Sequence, residues 1–458
     1  MKVDKIFKYT LTMLIALVTF TSCDSMLDID PTDNVDSEHI YKSVKNFEQG
    51  VLGAYSDLNL EYNALIGSIL ADENKLAPEN NGVDGYAVNL HRWTFASDDD
   101  ILLEVWKNYY NHIYSINTLL ENVHKVPATN TEETNQLNNL IAELHGLRAL
   151  IHFELHRVFG AGDYLASSTL TIPYVTKAGI FQKPGKITLS EYYLNLWKDI
   201  EQADELTGAY TTGNHRLTKM GINALASRVA LYQKNYILAI KYSTEVIDNA
   251  PLANVNTYAN IWTDTSNDEV IFKLKRNTED KIRPNTLWYN YATGKTLFYA
   301  SNKLKNQYNA TTDVRYATFI DEDDNRSINK YGGNENSNRI NDYKVFRSSE
   351  ALLIRAESYF QQGAQQQALE DINTLRNNRF TQDSSYTALT LENILNERML
   401  ELPFEGHRYF DSKRLGKAIQ RDIVDLITSQ DQKVLEPNDE NYQLPIPQKE
   451  IQANPNLK

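Results

Sequence analysis

The chain alternates between stretches with helical periodicity and stretches with none, and two of the periodic stretches form pairs. In residues 219–251 two apolar faces, each repeating every three or four positions, meet at a polar turn at Lys234 and Asn235. Small residues on both faces would let two helix axes approach closely: Ala224, Ala226, Ala230 and Ala239. The pattern predicts a helical hairpin.

A second hairpin of the same kind is predicted over residues 348–378. Gly363 stands at its turn, and Ala356 and Ala368 lie on its two helices. These spacings resemble tetratricopeptide units, and one such unit cannot bury its own apolar face without neighbours. We therefore predict a mainly α fold, a tetratricopeptide-like superhelix of helix pairs that carries an irregular, loop-rich lobe.

Further helices are predicted wherever apolar residues recur at steps of three and four. The periodic stretches are residues 37–60, 101–123, 135–159 and 188–206, and Thr188 with Glu191 forms a capping box at the start of the last one. Residues 269–275, EVIFKLK, are typical of a β-strand. These elements supply the neighbours that the two hairpins need.

Two long segments lack periodicity and are predicted to be loops. Residues 65–100 contain Pro78, Asn80, Asn81, Gly82 and Gly85, and residues 276–345 are rich in aromatic residues and asparagine. Long loops in compact domains commonly carry function. We expect the ligand-binding residues there.

The charge of the chain argues against a nucleic acid partner. The net charge is −14 over 458 residues, whereas affinity for a phosphate backbone comes from clustered lysine and arginine. Since Cys23 is the only cysteine, no disulfide can form within the chain. The fold must therefore rest on packing.

The amino-terminal segment predicts export and lipidation. Residues 1–22 combine a basic start with an apolar run, residues 9–20, that is too short to span a bilayer, and Cys23 follows directly. This arrangement resembles a bacterial lipoprotein signal, in which the cysteine becomes the lipidated first residue. An ordinary secretory signal with an incidental cysteine is the alternative. Residues 23–36, rich in aspartate, are predicted to be an acidic tether.

Several motifs together resemble the SusD/RagB family of nutrient-uptake lipoproteins of Bacteroidetes. They are ILNERMLELPFEGHRYFDSKRLG (394–416), LPIPQKEIQANPNL (444–457), VFRSSEALLIRAES (345–358) and the Cys23 leader. The resemblance covers essentially the whole chain. It divides the mature protein into an N-terminal SusD-like helical region, residues 37–260, and a C-terminal SusD/RagB region, residues 261–458, which includes the insertion 276–345.

The resemblance implies a function and a location. It implies a lipid-anchored protein of the outer membrane that faces the cell exterior, with Asp24, Asp28 and Asp30 as the export signal. It implies partnership with a SusC-like TonB-dependent transporter, over which the protein acts as a lid that binds oligosaccharides. It implies neither an enzymatic activity nor a cofactor. Two alternatives stay open: a peptide-binding uptake lipoprotein, and a tetratricopeptide-like scaffold without a small ligand.

The ligand-binding residues are predicted within the two loop segments. Trp288, Tyr289, Asn290 and Tyr291 place three large aromatic rings beside an amide, a combination that suits sugars, because rings stack on the C–H face and amides bond hydroxyls. Tyr86, Asn81 and Asp84 form the second choice. The alternative interpretation is that these rings pack the lobe onto the helical scaffold.

Three other groups of residues resemble reactive sites, and we interpret each as structural. His145, His152 and His156 share a helix face at a spacing that could bind zinc. Asp321, Asp323 and Asn325 resemble the start of a calcium loop, but Arg326 stands where that loop needs glycine. Glu405, His407 and Asp411 could form an acid–base group, yet we interpret them as a buried polar network. No metal or catalytic residue is therefore predicted.

Overall fold

Helices dominate the computed structural model, which describes residues 39–82, 85–208, 213–322, 328–334, 337 and 340–458. The leader, the tether with Cys23, and Asp84, Asp323 and Asn325 lie outside the described residues. The predicted mainly α, tetratricopeptide-like architecture is confirmed. Within the described residues, no helix is both long enough and apolar enough to cross a bilayer.

The α-helices follow one another along the chain with short strands between them. They are α1 (Val44–Tyr55), α2 (Glu61–Ile69), α3 (Val88–His91), α4 (Asp100–Asn122), α5 (Thr131–Phe159), α6 (Leu189–Leu206), α7 (Lys219–Tyr232), α8 (Tyr236–Asn249), α9 (Tyr258–Trp262), α10 (Asn302–Lys305), α11 (Val314–Phe319), α12 (Ser348–Gln361), α13 (Gln365–Asn377), α14 (Leu391–Glu401), α15 (Arg408–Leu415) and α16 (Gln448–Ala453).

The strands form two-stranded antiparallel pairs. They are β1 (Asn74–Leu76), β2 (Leu170–Thr171), β3 (Ile187–Thr188), β4 (Val270–Leu274), β5 (Tyr289–Asn290), β6 (Lys295–Thr296), β7 (Phe298–Ala300), β8 (Tyr343–Arg347), β9 (Ile419–Gln420) and β10 (Val434–Leu435). The pairs are β1 with β7, β2 with β3, β4 with β8, β5 with β6 and β9 with β10. Helix packing therefore provides most of the architecture.

Both predicted hairpins are present. Helices α7 and α8 pack against each other, α12 and α13 do the same, and α12 also packs on α8, so the two hairpins stack. The turns are equivalent in backbone conformation, since Lys234 has φ of 59° and Gly363 has φ of 78°. The predicted capping box is also present at α6, where Thr188 and Glu191 satisfy each other's backbone N–H groups.

The prediction of a continuous loop over residues 65–100 is wrong. Helix α2 extends to Ile69, and β1 and α3 lie within the same segment. All nine residues of α2 are buried, including Glu61, Asn63 and Ser68. A helix that is buried on every side has no polar face, so it shows no amphipathic period.

The aromatic insertion leaves and rejoins the scaffold through one strand pair. Strand β4, which the sequence predicts, pairs with β8, and the register joins Val270 to Arg347 and Leu274 to Tyr343. Strand β8 therefore occupies the last residues of the segment that was predicted to be irregular. The insertion is also held to the N-terminal region by β1 and β7, with Asn74 opposite Ala300.

A buried ion-pair network fixes the C-terminal helices against the scaffold. Glu401 at the end of α14 pairs with Arg347 at 3.0 Å and with Arg379 at 2.9 Å. Arg347 also contacts Glu405 at 2.6 Å, and Glu405 contacts Lys330 at 2.6 Å. Because each buried charge has an oppositely charged partner, the cost of removing it from water is offset.

Candidate ligand-binding cleft

An open cleft of about 520 Å³ lies where the loop before α4 meets the aromatic insertion. This volume lies within the range of small-molecule sites. Side chains that line it come from α2, from the loop at Tyr86, from the start of α4 and from the insertion. They include Tyr62, Tyr86, Asp100, Glu104, Lys281, Arg283, Tyr289, Asn290 and Tyr291. Residues some 200 positions apart thus face one space.

The pairing of β1 with β7 brings the two distant segments together. Strand β1 leads into the loop that carries Tyr86, and β7 follows the hairpin that carries Tyr289 and Tyr291. The pairing continues beyond the strands, since Ala77 N donates to Leu297 O at 3.1 Å. The position of each side of the cleft is therefore fixed relative to the other by backbone hydrogen bonds.

Asn80 completes this connection with its side chain. Its amide Oδ1 accepts from Tyr86 N at 2.8 Å, and its Nδ2 donates to Tyr86 O at 3.0 Å and to Leu297 O at 3.1 Å. Asn80 is buried, so these bonds replace water that the amide cannot reach. One side chain therefore holds the Tyr86 backbone against the insertion.

The β5–β6 hairpin presents two tyrosine rings to the cleft. Tyr289 and Tyr291 have ring centroids 4.9 Å apart with an interplanar angle of 71°, an edge-to-face arrangement. Asn290 stabilises the hairpin loop, because its Oδ1 accepts from Ala292 N at 3.0 Å and from Thr293 N at 3.2 Å. The Asn290 oxygen is thus occupied by the turn, although the residue still lines the cleft.

The charges at the cleft are balanced. Asp100 and Glu104 lie on α4, and Lys281 and Arg283 lie on the insertion. Burial, with Glu104 and Glu61 nearby, raises the pKa of Tyr62 to about 12, so its hydroxyl remains a neutral donor at physiological pH. Aromatic faces, hydroxyls and both signs of charge together suit a neutral, polyhydroxylated ligand.

The structure separates the predicted binding residues into groups. Tyr86, Tyr289, Asn290 and Tyr291 line the cleft, as described above. Trp288 does not: its side chain is 3% exposed and packs edge-on against Phe298 and Phe404. Trp288 therefore packs the lobe onto the scaffold, as the alternative interpretation predicts.

Asn81 lies outside the aromatic cleft. It lines a neighbouring groove of about 650 Å³, and its Oδ1 accepts a hydrogen bond from Arg92. The two cavities abut, because Asp100 and Ile101 line both of them. An extended ligand in the aromatic cleft would thus have the Asn81 groove beside it.

The histidines on α5 each contact a different protein group. His145 Nδ1 lies 3.0 Å from Asp199 Oδ1, and His156 Nε2 lies 2.9 Å from Asp163 Oδ1. His152 uses both ring nitrogens, toward Arg148 O and Val175 N, each at 2.9 Å. Burial lowers the pKa of His152 to about 3. Their hydrogen bonds show a structural role for these rings.

The carboxylates of the C-terminal motif form buried ion pairs with arginine and lysine. Although burial opposes it, Arg398 and Arg414 lower the pKa of Asp411 to about 2. His407 is buried among arginines, and burial holds the pKa of its ring well below the ordinary range. Burial among oppositely charged partners favours a structural role for these groups. The interpretation of a buried polar network is confirmed for Glu405 and Asp411, which both form buried ion pairs.

Sequence reasoning missed several residues that line the cleft. Tyr62 lies on the buried helix α2. This helix has no polar face, so the hydrophobic pattern of the sequence did not indicate it. Asp100 and Glu104 lie at the start of α4, where they resemble ordinary solvent-facing residues of a helix. Lys281 and Arg283 directly precede the predicted aromatic residues in the sequence. Charged residues so close to an aromatic cluster were the available signal.

Comparison with protein-family models gives two matches. The model described as the SusD family matches residues 166–458. The model described as starch-binding associating with the outer membrane matches residues 23–231. Together these two matches include every residue from Cys23 to the last residue, Lys458.

Curated relatives are similar over nearly their full length. Two SusD-like proteins of Formosa agariphila are 25% and 22% identical to this chain. The first alignment covers 92% of this chain and 93% of the relative, and the second covers 100% and 98%. The similarity therefore extends over both the helical scaffold and the insertion.

Solved structures share the fold. A SusD superfamily protein from Bacteroides thetaiotaomicron superposes with a TM-score of 0.82 at 24% identity, covering 91% of this chain and 99% of that one. A SusD-like carbohydrate binding protein from Bacteroides vulgatus gives a TM-score of 0.77 at 18% identity, covering 91% and 98%. A family model that spans more than half of the residues, with this shared fold, shows that the chain belongs to the SusD family.

Proposed function

We propose that this protein is a cell-surface lipoprotein of the outer membrane that binds an oligosaccharide and acts as the lid of a SusC-like TonB-dependent transporter. The observation that carries the proposal is the cleft in which Tyr86, Tyr289 and Tyr291 converge from two distant segments. A binding protein of this kind captures its ligand and passes it on unchanged.

The chemistry of the cleft favours a glycan over a peptide. Tyrosine rings offer flat apolar faces to the C–H side of a pyranose, and nearby hydroxyls and charged groups can bond its oxygens. One common way for an extended peptide to bind is to add a strand to an exposed sheet edge. The short strands β5 and β6 pair with each other, and the cleft is lined by their side chains.

Attachment to the membrane and the transporter partnership are supported by the sequence. The leader with Cys23 has the form of a lipoprotein signal, and one matching family model is described as associating with the outer membrane. Lipid at Cys23 would tether the body to the membrane surface. The same family resemblance implies the SusC-like partner, which should co-purify with the protein from its native membrane.

Isothermal titration tests the assigned site. The family-model description makes maltoheptaose the first ligand to try, followed by a panel of neutral oligosaccharides and a panel of peptides. We expect saturable binding of a glycan, and the Tyr289→Ala/Tyr291→Ala variant should weaken it at least tenfold, because it removes two rings whose stacking contacts each contribute on the order of 1 kcal/mol.

The matched control is Tyr359→Ala. Tyr359 is a partly exposed tyrosine on α12 that does not line the cleft. Its loss should leave the affinity unchanged. Binding of peptides alone would establish the peptide-binding alternative, and binding of neither class would favour the scaffold alternative. Release of shorter sugars during the titration would contradict a purely binding role.

A further inference from the structure

The loop between β2 and β3 exposes two large apolar side chains at its tip. Ile180 is 74% exposed and Phe181 is 90% exposed. Scattered single apolar residues are normal on a protein surface, but two adjacent ones at the end of a protruding turn form a patch that marks a contact. The turn itself is closed by Gln182 N donating to Gly179 O at 3.3 Å.

The base of this loop is held on both sides. On the amino-terminal side, Ala178 N donates to Glu121 Oε1 on α4 at 3.0 Å. On the carboxyl-terminal side, Pro184 O accepts from Asn454 Nδ2, after α16, at 2.8 Å. Because neighbouring elements fix both ends, the fold sets the position of the tip, which borders a cavity of about 620 Å³ that α4 also lines.

Positive charge surrounds the tip. Lys177 and Lys183 are exposed, and Lys186 is partly exposed, within six residues of Phe181 on either side. The chain as a whole carries a net charge of −14. A local cluster of lysines on an acidic protein provides a specific attraction for an anionic surface.

A second adjacent pair of exposed apolar residues lies beside negative charge instead of positive charge. Ile423 and Val424 are 72% and 63% exposed, and the exposed Asp422 directly precedes them. An anionic surface would repel that pair through this aspartate. The two pairs are thus similar in apolar character and differ in the sign of the flanking charge.

The loop lies near the place where the chain enters the fold from Cys23. Tyr41, which follows Cys23 by 18 positions in the sequence, donates from its hydroxyl to Thr118 O at 3.4 Å. Ala178 contacts Glu121, one turn further along the same helix. The loop and the first described residues of the chain therefore lie at the same end of α4.

We propose that the Ile180–Phe181 loop is a second membrane contact, in which both apolar side chains enter the lipid interface and Lys177, Lys183 and Lys186 meet anionic headgroups. This combination of an apolar tip and a basic rim is that of interfacial membrane binders. The inference rests on the lipid anchor of the proposed function. The contact would set the orientation of the cleft relative to the membrane.

Vesicle sedimentation tests this contact without the lipid anchor. The mature chain, residues 23–458 with Cys23→Ser, is mixed with vesicles of phosphatidylcholine alone or with added phosphatidylglycerol. We expect binding to the anionic vesicles, weakened by added salt because screening reduces the attraction. The Ile180→Ser/Phe181→Ser variant and the Lys177→Gln/Lys183→Gln/Lys186→Gln variant should each weaken binding at least tenfold.

The control is Ile423→Ser/Val424→Ser, which should bind vesicles as the parent does. Failure of the parent to bind anionic vesicles, or equal loss in the control, would overturn the proposal. So would loss of transporter co-purification in the loop variant with vesicle binding retained, which would assign the loop to a protein partner. Glycan titration of the loop variant separates the two proposals, because the cleft should bind sugar normally even if the loop does not bind lipid.

Discussion

Two turns with the same backbone conformation carry different side chains. Lys234 and Gly363 both have positive φ, at 59° and 78°, and both close a helix pair. A residue with a Cβ pays strain in this region whereas glycine does not. The sequence therefore predicts both turns correctly, even though only one of them has the residue that the conformation favours.

Gly363→Ala should lower the free energy of unfolding by about 1 kcal/mol, because alanine is strained at positive φ. A Cβ at Gly363 would meet no atom within 4 Å, so strain is the whole effect. The control is Gly53→Ala in α1, where a Cβ also meets nothing within 4 Å but φ is helical. That change should stabilise by roughly 0.5–1 kcal/mol. Urea denaturation measures both, and changes of the same sign would contradict this account.

The buried carboxyl of Glu73 should make the stability of the protein depend on pH. Burial raises the pKa of Glu73 to about 7, and its Oε1 accepts from Phe404 N at 2.9 Å. The folded state therefore holds a proton that the unfolded state releases at lower pH. Between the ordinary pKa and about 7 the unfolded state binds fewer protons, so stability falls as pH rises.

The variant Glu73→Gln should remove this dependence. Relative to the variant, the wild type should lose roughly 3 kcal/mol of stability as pH rises from about 4.5 to about 7. Glutamine is neutral at every pH and keeps an oxygen for the Phe404 amide. Chemical denaturation of both proteins at several pH values provides the difference. A pH-independent difference would show that Glu73 ionises normally in the fold.

Helices with one solvated face could be predicted from the sequence. A buried helix, or a strand whose pairing partner lies far away in the sequence, could not. The periodicity of α4 and α8 follows from a buried stripe opposite a polar one. Helix α2 is wholly buried and shows no such contrast. Strand β1 is three residues long, and its partner β7 lies more than 200 positions away, so no local pattern specifies the pair.

In the candidate cleft, too, local features could be predicted and contacts with distant residues could not. Tyr86, Tyr289 and Tyr291 could be predicted as candidate lining residues, because aromatic residues in irregular segments require either burial or a ligand. The burial of Trp288 could not be predicted, because it depends on Phe404 from the C-terminal region. The role of Asn80 in holding the Tyr86 loop could not be predicted either, because it depends on a hydrogen bond to the distant Leu297.

Asn80→Ala should lower glycan affinity about tenfold, because it releases the Tyr86 backbone from Leu297. It should also lower the free energy of unfolding by about 1–3 kcal/mol, since buried backbone groups lose their partner. Titration and urea denaturation of the same variant measure the two effects. Unchanged affinity would show that the Tyr86 loop is positioned without Asn80.

The matched control for this element is Asn341→Ala. Asn341 is fully buried, donates to Trp262 O at 2.9 Å and accepts from Gly333 N at 2.7 Å, away from the cleft. Its loss should cost a similar amount of stability and leave glycan affinity unchanged. Equal loss of affinity in both variants would indicate general loosening of the insertion.

At the scale of the molecule, one apolar core includes residues from both predicted regions. Phe47 and Tyr409 belong to it, and Arg276 joins Glu61 across the same boundary at 2.6 Å. The order of helices and the family could be predicted from the sequence. Apart from the network at Glu405 and Asp411, the buried arginine–carboxylate pairs could not be predicted, because charged residues on a predicted helix normally face solvent.

We infer that two segments far apart in the sequence form one glycan site. Hydrogen–deuterium exchange with and without the bound oligosaccharide tests it most directly, because each segment reports separately. We expect slower exchange with ligand in peptides that contain Tyr86 and in peptides that cover residues 289–292, with no change around Phe181. Slower exchange in only one of the two segments, or only at a different surface, would contradict the account.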